Sequence, residues 1–417
     1  MNIKTLPITA FRAAYIQKLR LLRYRIVRLL ATLLLMTRPI THTVYVWPPI
    51  DNELDQDEYN SLIKNLRHYL KNIEITVEYY LITAEGLNRC KIKAPFDTVY
   101  SSELVDKQSV TTLLKKAKFC LLWKLNGTRI GSSVRPHLYV IKRGLDCCDA
   151  NEWLRLTKDV YCTINGSLPD NFVAFPKYPV NTCAIIGSGP SFENFIKESV
   201  SYDTWICANN VVCDIRMRSL PNPFAICVLD PYIFSSLESM QPTIQGIFCF
   251  LRETQAVMIT TLDFAAYIEL NFPSDIKRKC HYVSTLGHDT ARFWTNSDLQ
   301  KLAITPYGNV LTDLMIPVAA AISRDVVLYG CDGREPGEKG FFLKGTNIAE
   351  IDDKQTEDLK KIINEDVLDK YIFLHNLYTR YVVDEFSKQQ VTYQLRCPSW
   401  NTGLQHLTLA SEKDCIN

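Results

Sequence analysis

The sequence predicts an α/β fold: a doubly wound, mostly parallel sheet preceded by a second, N-terminal α/β domain. Three observations carry this. Apolar runs without polar alternation recur at Thr182–Ile186, Thr204–Ala208, Phe224–Leu229, Gly246–Phe250 and Asp325–Tyr329, as expected of strands buried on both faces of a parallel sheet. Helical stretches separate several of them, notably Val310–Ser323, which is the alternation that builds such a sheet. Finally, 417 residues at 47% hydrophobic composition exceed what one core holds, since single cores seldom grow beyond ~250 residues.

The elements follow in order. Residues 1–40 form a basic segment: the first 50 residues hold eight Lys or Arg and no acid, leaving 39 basic against 45 acidic side chains in the remainder. Between Lys18 and Arg28 cations interleave with apolar side chains, and the uncharged run Leu29–Thr37 that follows has nine residues. A bilayer span takes ~20. An amphipathic helix over 10–37 lying on an anionic membrane surface fits this pattern. A helix packed on its own domain, or an Arg-rich targeting segment, also fits it. The net charge of +2 gives no argument for a nucleic-acid partner.

Residues 41–175 read as the N-terminal α/β domain. His42–Trp47 predicts a strand, Asp57–Asn72 an amphipathic helix and Glu74–Thr83 a β-rich stretch. A helix near Val110–Lys118 and strands at Phe119–Trp123 and His137–Ile141 continue it. Gly166, Pro169, Pro176 and Pro179 then mark a boundary, and residues 180–405 form the second domain. Beyond Tyr329, Glu350–Asp369 reads as a charged helix or lid-like insertion, and Phe386–Gln394 as a last helix and strand. The 14 cysteines are scattered and include no Cys-x-x-Cys pair. Cys183, Cys207, Cys227 and Cys249 lie in apolar runs, where free cysteine behaves as a small buried hydrophobe. These features point to a reduced, cytoplasmic protein without a structural metal.

The strongest chemical feature is Gly187-Ser188-Gly189-Pro190-Ser191, where a buried strand meets a glycine turn and a following helix. Such a turn exposes backbone N–H groups to which a phosphate can bind. Pro190 suits a first helical turn, and Ser191 supplies a hydroxyl. A dinucleotide fingerprint needs a third glycine near position 192, which is Phe192 here, so NAD is disfavoured. A plain strand-to-helix turn would leave the same trace.

The next strands end in Cys207-Ala208-Asn209-Asn210 and Leu229-Asp230-Pro231. Ligands of open α/β sheets sit outside the carboxyl ends of strands, so Ser188, Asn209 and Asp230 are candidates to converge on one nucleotide. Asn and Asp are also ordinary turn residues. Gly308 and Asn309, before the Ala-rich helix, and Asp332, after Tyr329-Gly330-Cys331, occupy equivalent positions. Arg334 and Lys339 follow among glycines, where a cation could stabilise a leaving phosphate or simply be solvated.

The order Gly-x-Gly-Pro-Ser, Cys-x-Asn, Asp-Pro, Ala-rich helix, Leu-Tyr-Gly-Cys-Asp and a late histidine before Cys-Pro resembles glycosyltransferase family 42, the bacterial sialyltransferases. The related Maf-type flagellin glycosylation proteins share the Gly-Pro-Ser turn. The resemblance spans residues 181 to about 405. It implies a Rossmann-like fold of GT-A-variant type, a CMP-nonulosonate donor as substrate, no cofactor and no metal. It also implies that Gly187, Gly189 and Ser191 hold the donor, that Asn209 contacts it, and that His375 is the general base on an acceptor hydroxyl of a glycan or glycoprotein. A neutral imidazole suits that task at cytoplasmic pH. The chain departs from the family at Ser188 and Asp230, where the family has asparagine. It departs again at Gly340-Phe341-Phe342, where the tyrosines that assist the leaving phosphate are missing; either Arg334, Lys339 or Lys344 takes that role or the donor is a different one.

The expectation is therefore a cytoplasmic glycosyltransferase, peripheral on the inner face of the membrane. Two alternatives stay open. One is a Mg²⁺-dependent diphosphate transferase resembling pterin pyrophosphokinases, using Asp230 and Asp332; the other is a non-catalytic nucleotide-sugar-binding protein.

Overall fold

The computed structural model describes residues 43–47, 50–51, 56–83, 86–93, 99–105, 119–123, 138–141, 150–169, 171, 180–285, 303–304, 309–333, 354–355 and 365–410. The basic segment 10–37, the helix expected at Val110–Lys118, Gly308, Arg334, Lys339, Lys344 and Gly340-Phe341-Phe342 lie outside them. The chain divides into two compact units, Met1–Ser167 and Leu168–Asn417.

The first unit contains strands β1 (Thr43–Trp47) and β2 (Ile50–Asp51), helix α1 (Gln56–Leu70), strands β3 (Thr76–Thr83), β4 (Gly86–Lys93), β5 (Val99–Leu104), β6 (Phe119–Trp123) and β7 (Leu138–Ile141), and helix α2 (Ala150–Asn165). Its sheet runs β5-β4-β3-β1-β6-β7, with β2 beside β3. Pairings of β3 with β4 and of β4 with β5 are antiparallel, and the others parallel. Leu62, Ile63, Leu66, Tyr69 and Leu70 of α1 are buried, the three-and-four spacing of an amphipathic helix. Tyr69 stacks on Trp153 of α2 with ring centroids 5.5 Å apart.

The second unit opens with β8 (Thr182–Ile186), α3 (Phe192–Glu198), β9 (Thr204–Ala208), β10 (Pro223–Val228), α4 (Gln241–Glu253) and β11 (Val257–Thr261). It continues through α5 (Ala265–Asn271), α6 (Ser274–Lys277), β12 (Cys280–Thr285) and β13 (Ala303–Ile304). A π turn, Leu311–Met315, leads into α7 (Ile316–Ile322), followed by β14 (Asp325–Tyr329), α8 (Glu365–Ser387), β15 (Thr392–Leu395) and β16 (Thr408–Leu409). Among the described residues the sheet has nine strands in the order β13-β12-β11-β10-β9-β8-β14-β15-β16. Every pairing in it is parallel. The expected α/β fold with a parallel sheet is thus what the chain adopts.

Both sheet faces are covered. Cys183 and Ile185 join α7 and Val382, Val383 and Phe386 of α8 in one buried cluster. On α3 and α4, Phe195 packs on Trp205 at 5.7 Å and on Tyr329 at 5.4 Å, and Trp205 on Phe250 at 5.7 Å. That double burial is why β8 shows no alternation.

One expected strand is corrected. Gly246–Phe250 lies inside α4, whose buried Ile244, Ile247 and Leu251 recur at helical spacing behind Pro242 in the first turn. A five-residue apolar run does not by itself distinguish a buried helix from a strand. Cys249 is therefore helical, while Cys183, Cys207 and Cys227 are buried in strands. The charged stretch Glu350–Asp369 ends in the first residues of α8, a 23-residue helix that carries His375 near its middle.

Candidate functional site

The strand order reverses between β8 and β14. From β8 the chain steps outward to β9, β10, β11, β12 and β13, then returns to the other side of β8 as β14. The crevice outside the carboxyl ends of such a pair is where open α/β sheets take ligands.

The two strands end in register, Ile186 opposite Tyr329, and their turns stay zipped beyond the sheet. Gly187 N–H donates to Tyr329 O at 2.8 Å, and Gly189 N–H to Gly330 O at 2.8 Å. Ser191 N–H donates to Asp332 Oδ2 at 3.0 Å, while Ser191 Oγ accepts from Gly330 N–H at 2.7 Å. Glycine is required by this approach: a Cβ at Gly189 would lie 2.5 Å from Gly330 O, and one at Gly187 2.9 Å from Gly330 C. Gly330 itself has φ 61. The amides expected to face a phosphate are therefore largely spent on the neighbouring turn. Among the described residues, Ser188 carries the N–H of this turn that has no protein acceptor, and Pro190 is exposed.

His375 reaches the same edge from α8. Its Nδ1 lies 3.3 Å from Thr312 Oγ1 and 3.4 Å from Thr379 Oγ1, and its Nε2 lies 3.3 Å from Asn401 Nδ2. Burial pushes the imidazole pKa down to about 4, so the ring is neutral at ordinary pH. Asn401 belongs to the loop after β15, which is tied to the β14 turn. Ser399 Oγ donates to Cys331 O at 2.7 Å, and Trp400 N–H to Asp332 O at 2.5 Å. One network thus joins Gly187, Gly189, Ser191 and Asp332 to His375.

Asn209 and Asp230 follow β9 and β10, so the parallel topology places them on the same edge. Asn209 has φ 49, a left-handed conformation that Asn tolerates, and its buried Oδ1 has no hydrogen-bond partner among the described residues. Its neighbour Asn210 is engaged on both sides, donating to Gln355 Oε1 at 2.8 Å and accepting from Thr243 Oγ1 at 2.6 Å. Asp230, half-buried, accepts from Tyr232 N–H at 2.9 Å. Desolvation raises its pKa to about 6 against that hydrogen bond. Asn309 caps the π turn, its Oδ1 accepting from Leu311 N–H at 2.8 Å. No group of three or more His, Cys, Asp or Glu among the described residues is arranged to hold a metal ion.

Asn401, Thr312, Thr379 and Ser399 were not singled out by sequence. Thr379 stands one helical turn after His375, a faint signal, but nothing local marks Thr312 or Asn401 as its partners.

Fold and site together define a doubly wound parallel α/β protein with a network of hydrogen-bonded polar groups at its switch point. No protein-family model matches the chain, and no curated protein matches it. A solved structure of a MAf glycosyltransferase from Magnetospirillum magneticum AMB-1 is similar at 16% identity and a TM-score of 0.27. The match covers 49% of this chain and 30% of that one. A TM-score that low places no constraint on what this chain does. No helix among the described residues is long and apolar enough to cross a membrane.

Proposed function

We propose that the chain is a glycosyltransferase that moves a nonulosonic, sialic-acid-like sugar from a CMP donor to a hydroxyl of a glycan or glycoprotein, without a metal. The donor would lie outside β8, β14 and β9, near Ser188 N–H, Asn209 and Asp230. In the reaction the bond from the anomeric carbon to the CMP phosphate oxygen breaks and a bond to the acceptor oxygen forms. The acceptor proton passes to His375, and CMP leaves. A neutral imidazole with an unprotonated nitrogen can take that proton, and Asn401 must yield that nitrogen to the acceptor. Arg334, outside the described residues, is the cation proposed to stabilise the leaving phosphate. Residues 10–37, rich in cations and free of acids, would give peripheral contact with an anionic membrane.

The observation that carries this reading is Asn209 Oδ1, a buried acceptor without a donor among the described residues, beside the switch point. Such groups in folded proteins call for a partner, and a nucleotide-sugar donor offers amino and hydroxyl hydrogens. Calorimetric titration with CMP tests it. Asn209→Ala should weaken CMP binding by ~5–150-fold, the loss of a hydrogen bond of ~1–3 kcal/mol. Equal affinity in wild type and variant would remove Asn209 from the site.

A further inference from the structure

We infer that Asn401 is a positioning residue that holds His375 in a single tautomer, protonated on Nδ1, with Nε2 as the nitrogen that accepts a proton. Its catalytic meaning rests on the transferase reading, but its geometry does not.

The Asn401 end sets the polarity of the network, and the threonine end accommodates it. At one end, Gly403 N–H donates to Asn401 Oδ1 at 2.9 Å. The Asn401 amide therefore turns its Nδ2–H toward His375 Nε2, 3.3 Å away, and a nitrogen that receives a hydrogen bond carries no proton. At the other end, the Thr379 hydroxyl donates to its own helix at His375 O, 2.8 Å away. Its proton is thereby committed, so in the 2.9 Å contact between Thr312 and Thr379 the Thr312 hydroxyl donates. Thr312 Oγ1 is then left to accept from Nδ1–H at 3.3 Å. The threonine end thus fits the tautomer that the Asn401 end sets.

Asn401 is itself seated by the β14 turn. Its N–H donates to Ser399 Oγ at 3.0 Å, and Ser399 Oγ donates to Cys331 O at 2.7 Å. Gly333, with φ 73, passes so close that a Cβ there would lie 2.5 Å from Asn401 N. The turn whose Asp332 holds Ser191 therefore also sets the nitrogen of the imidazole.

Nitrogen-15 NMR of the full chain tests the inference without any substrate, with His375→Gln assigning the ring signals. Wild type should show a pyridine-like Nε2 and a pyrrole-like Nδ1. In Asn401→Asp a carboxylate faces Nε2 and can only accept, so Nε2 should become protonated and the ring pKa should rise by ~1–3 units, as for a charge partner at this range. A pyrrole-like Nε2 in wild type would overturn the inference, as would an unchanged ring spectrum in a folded Asn401→Asp. If that variant does not fold, Thr312→Val, nearly the same shape, removes the acceptor for Nδ1–H. The Nδ1 signal should then move, and an unmoved signal overturns the inference equally. Release of CMP from CMP-sugars is read separately. The expected tautomer in a protein that turns over no CMP-sugar would sink the transferase reading and leave Asn401's role standing.

Discussion

Asp230 and His375 load the fold with opposite pH dependences. Burial raises Asp230 to about 6 from ~3.9 in an unfolded chain. The native state then keeps a proton that the unfolded state gives up, so stability falls as pH rises from about 4 to about 6, and the penalty persists above that range. His375, pushed down to about 4 from ~6.5 unfolded, works the other way: its penalty appears as pH falls below ~6.5 and is complete below about 4. Asp230→Asn keeps an oxygen for Tyr232 N–H and removes the partly desolvated charge. It should stabilise the protein by ~1–3 kcal/mol near pH 7.5 and by nothing measurable near pH 4. Urea denaturation at the two pH values checks this, and an equal effect at both would show that the carboxylate carries no desolvation penalty.

At the scale of elements, the β8 and β14 turns act as one unit. Gly187 and Gly189 lend their N–H groups to Tyr329 and Gly330, and Ser191 holds Gly330 N–H in return. Gly189→Ala would drive a Cβ against Gly330 O and Asp332 Oδ2. Overpacking of that kind costs ~1–3 kcal/mol, to be read as a shift of the urea midpoint. A midpoint equal to wild type would mean that the two turns are not in contact. The strands flanking this unit were legible because β8, β9, β10 and β14 are apolar in every residue after the first. β11 was not, since Val257-Met258-Ile259-Thr260-Thr261 ends in two threonines. Thr260 is nevertheless fully buried, its hydroxyl donating to Val228 O at 2.6 Å on the adjacent strand. A hydroxyl satisfied across a ladder looks like solvent-facing polarity in a sequence. The apolar run in α4 erred in the opposite sense.

For the whole molecule, the order of strand ends alone indicated a crevice at the carboxyl edge of the sheet, and the position where strand order reverses is where the glycine turn lies. The hydrogen-bond network at that edge was not legible. Ser191 meets Gly330 across 139 residues and Thr312 meets His375 across 63, and no local pattern encodes such pairs. The glycines were read as openings for phosphate, whereas their close packing serves the backbone of the opposite turn.

Release of CMP from a panel of CMP-nonulosonates, in the presence of EDTA, tests the proposed transfer most directly, with wild type compared to His375→Ala. Wild type should release CMP without added metal, and the variant should be slower by ~10²–10⁴-fold, the range of general-base catalysis. No release by wild type from any donor, or an equal rate in the variant, would contradict the account. ATP turnover that requires Mg²⁺ would assign the crevice to diphosphate transfer instead.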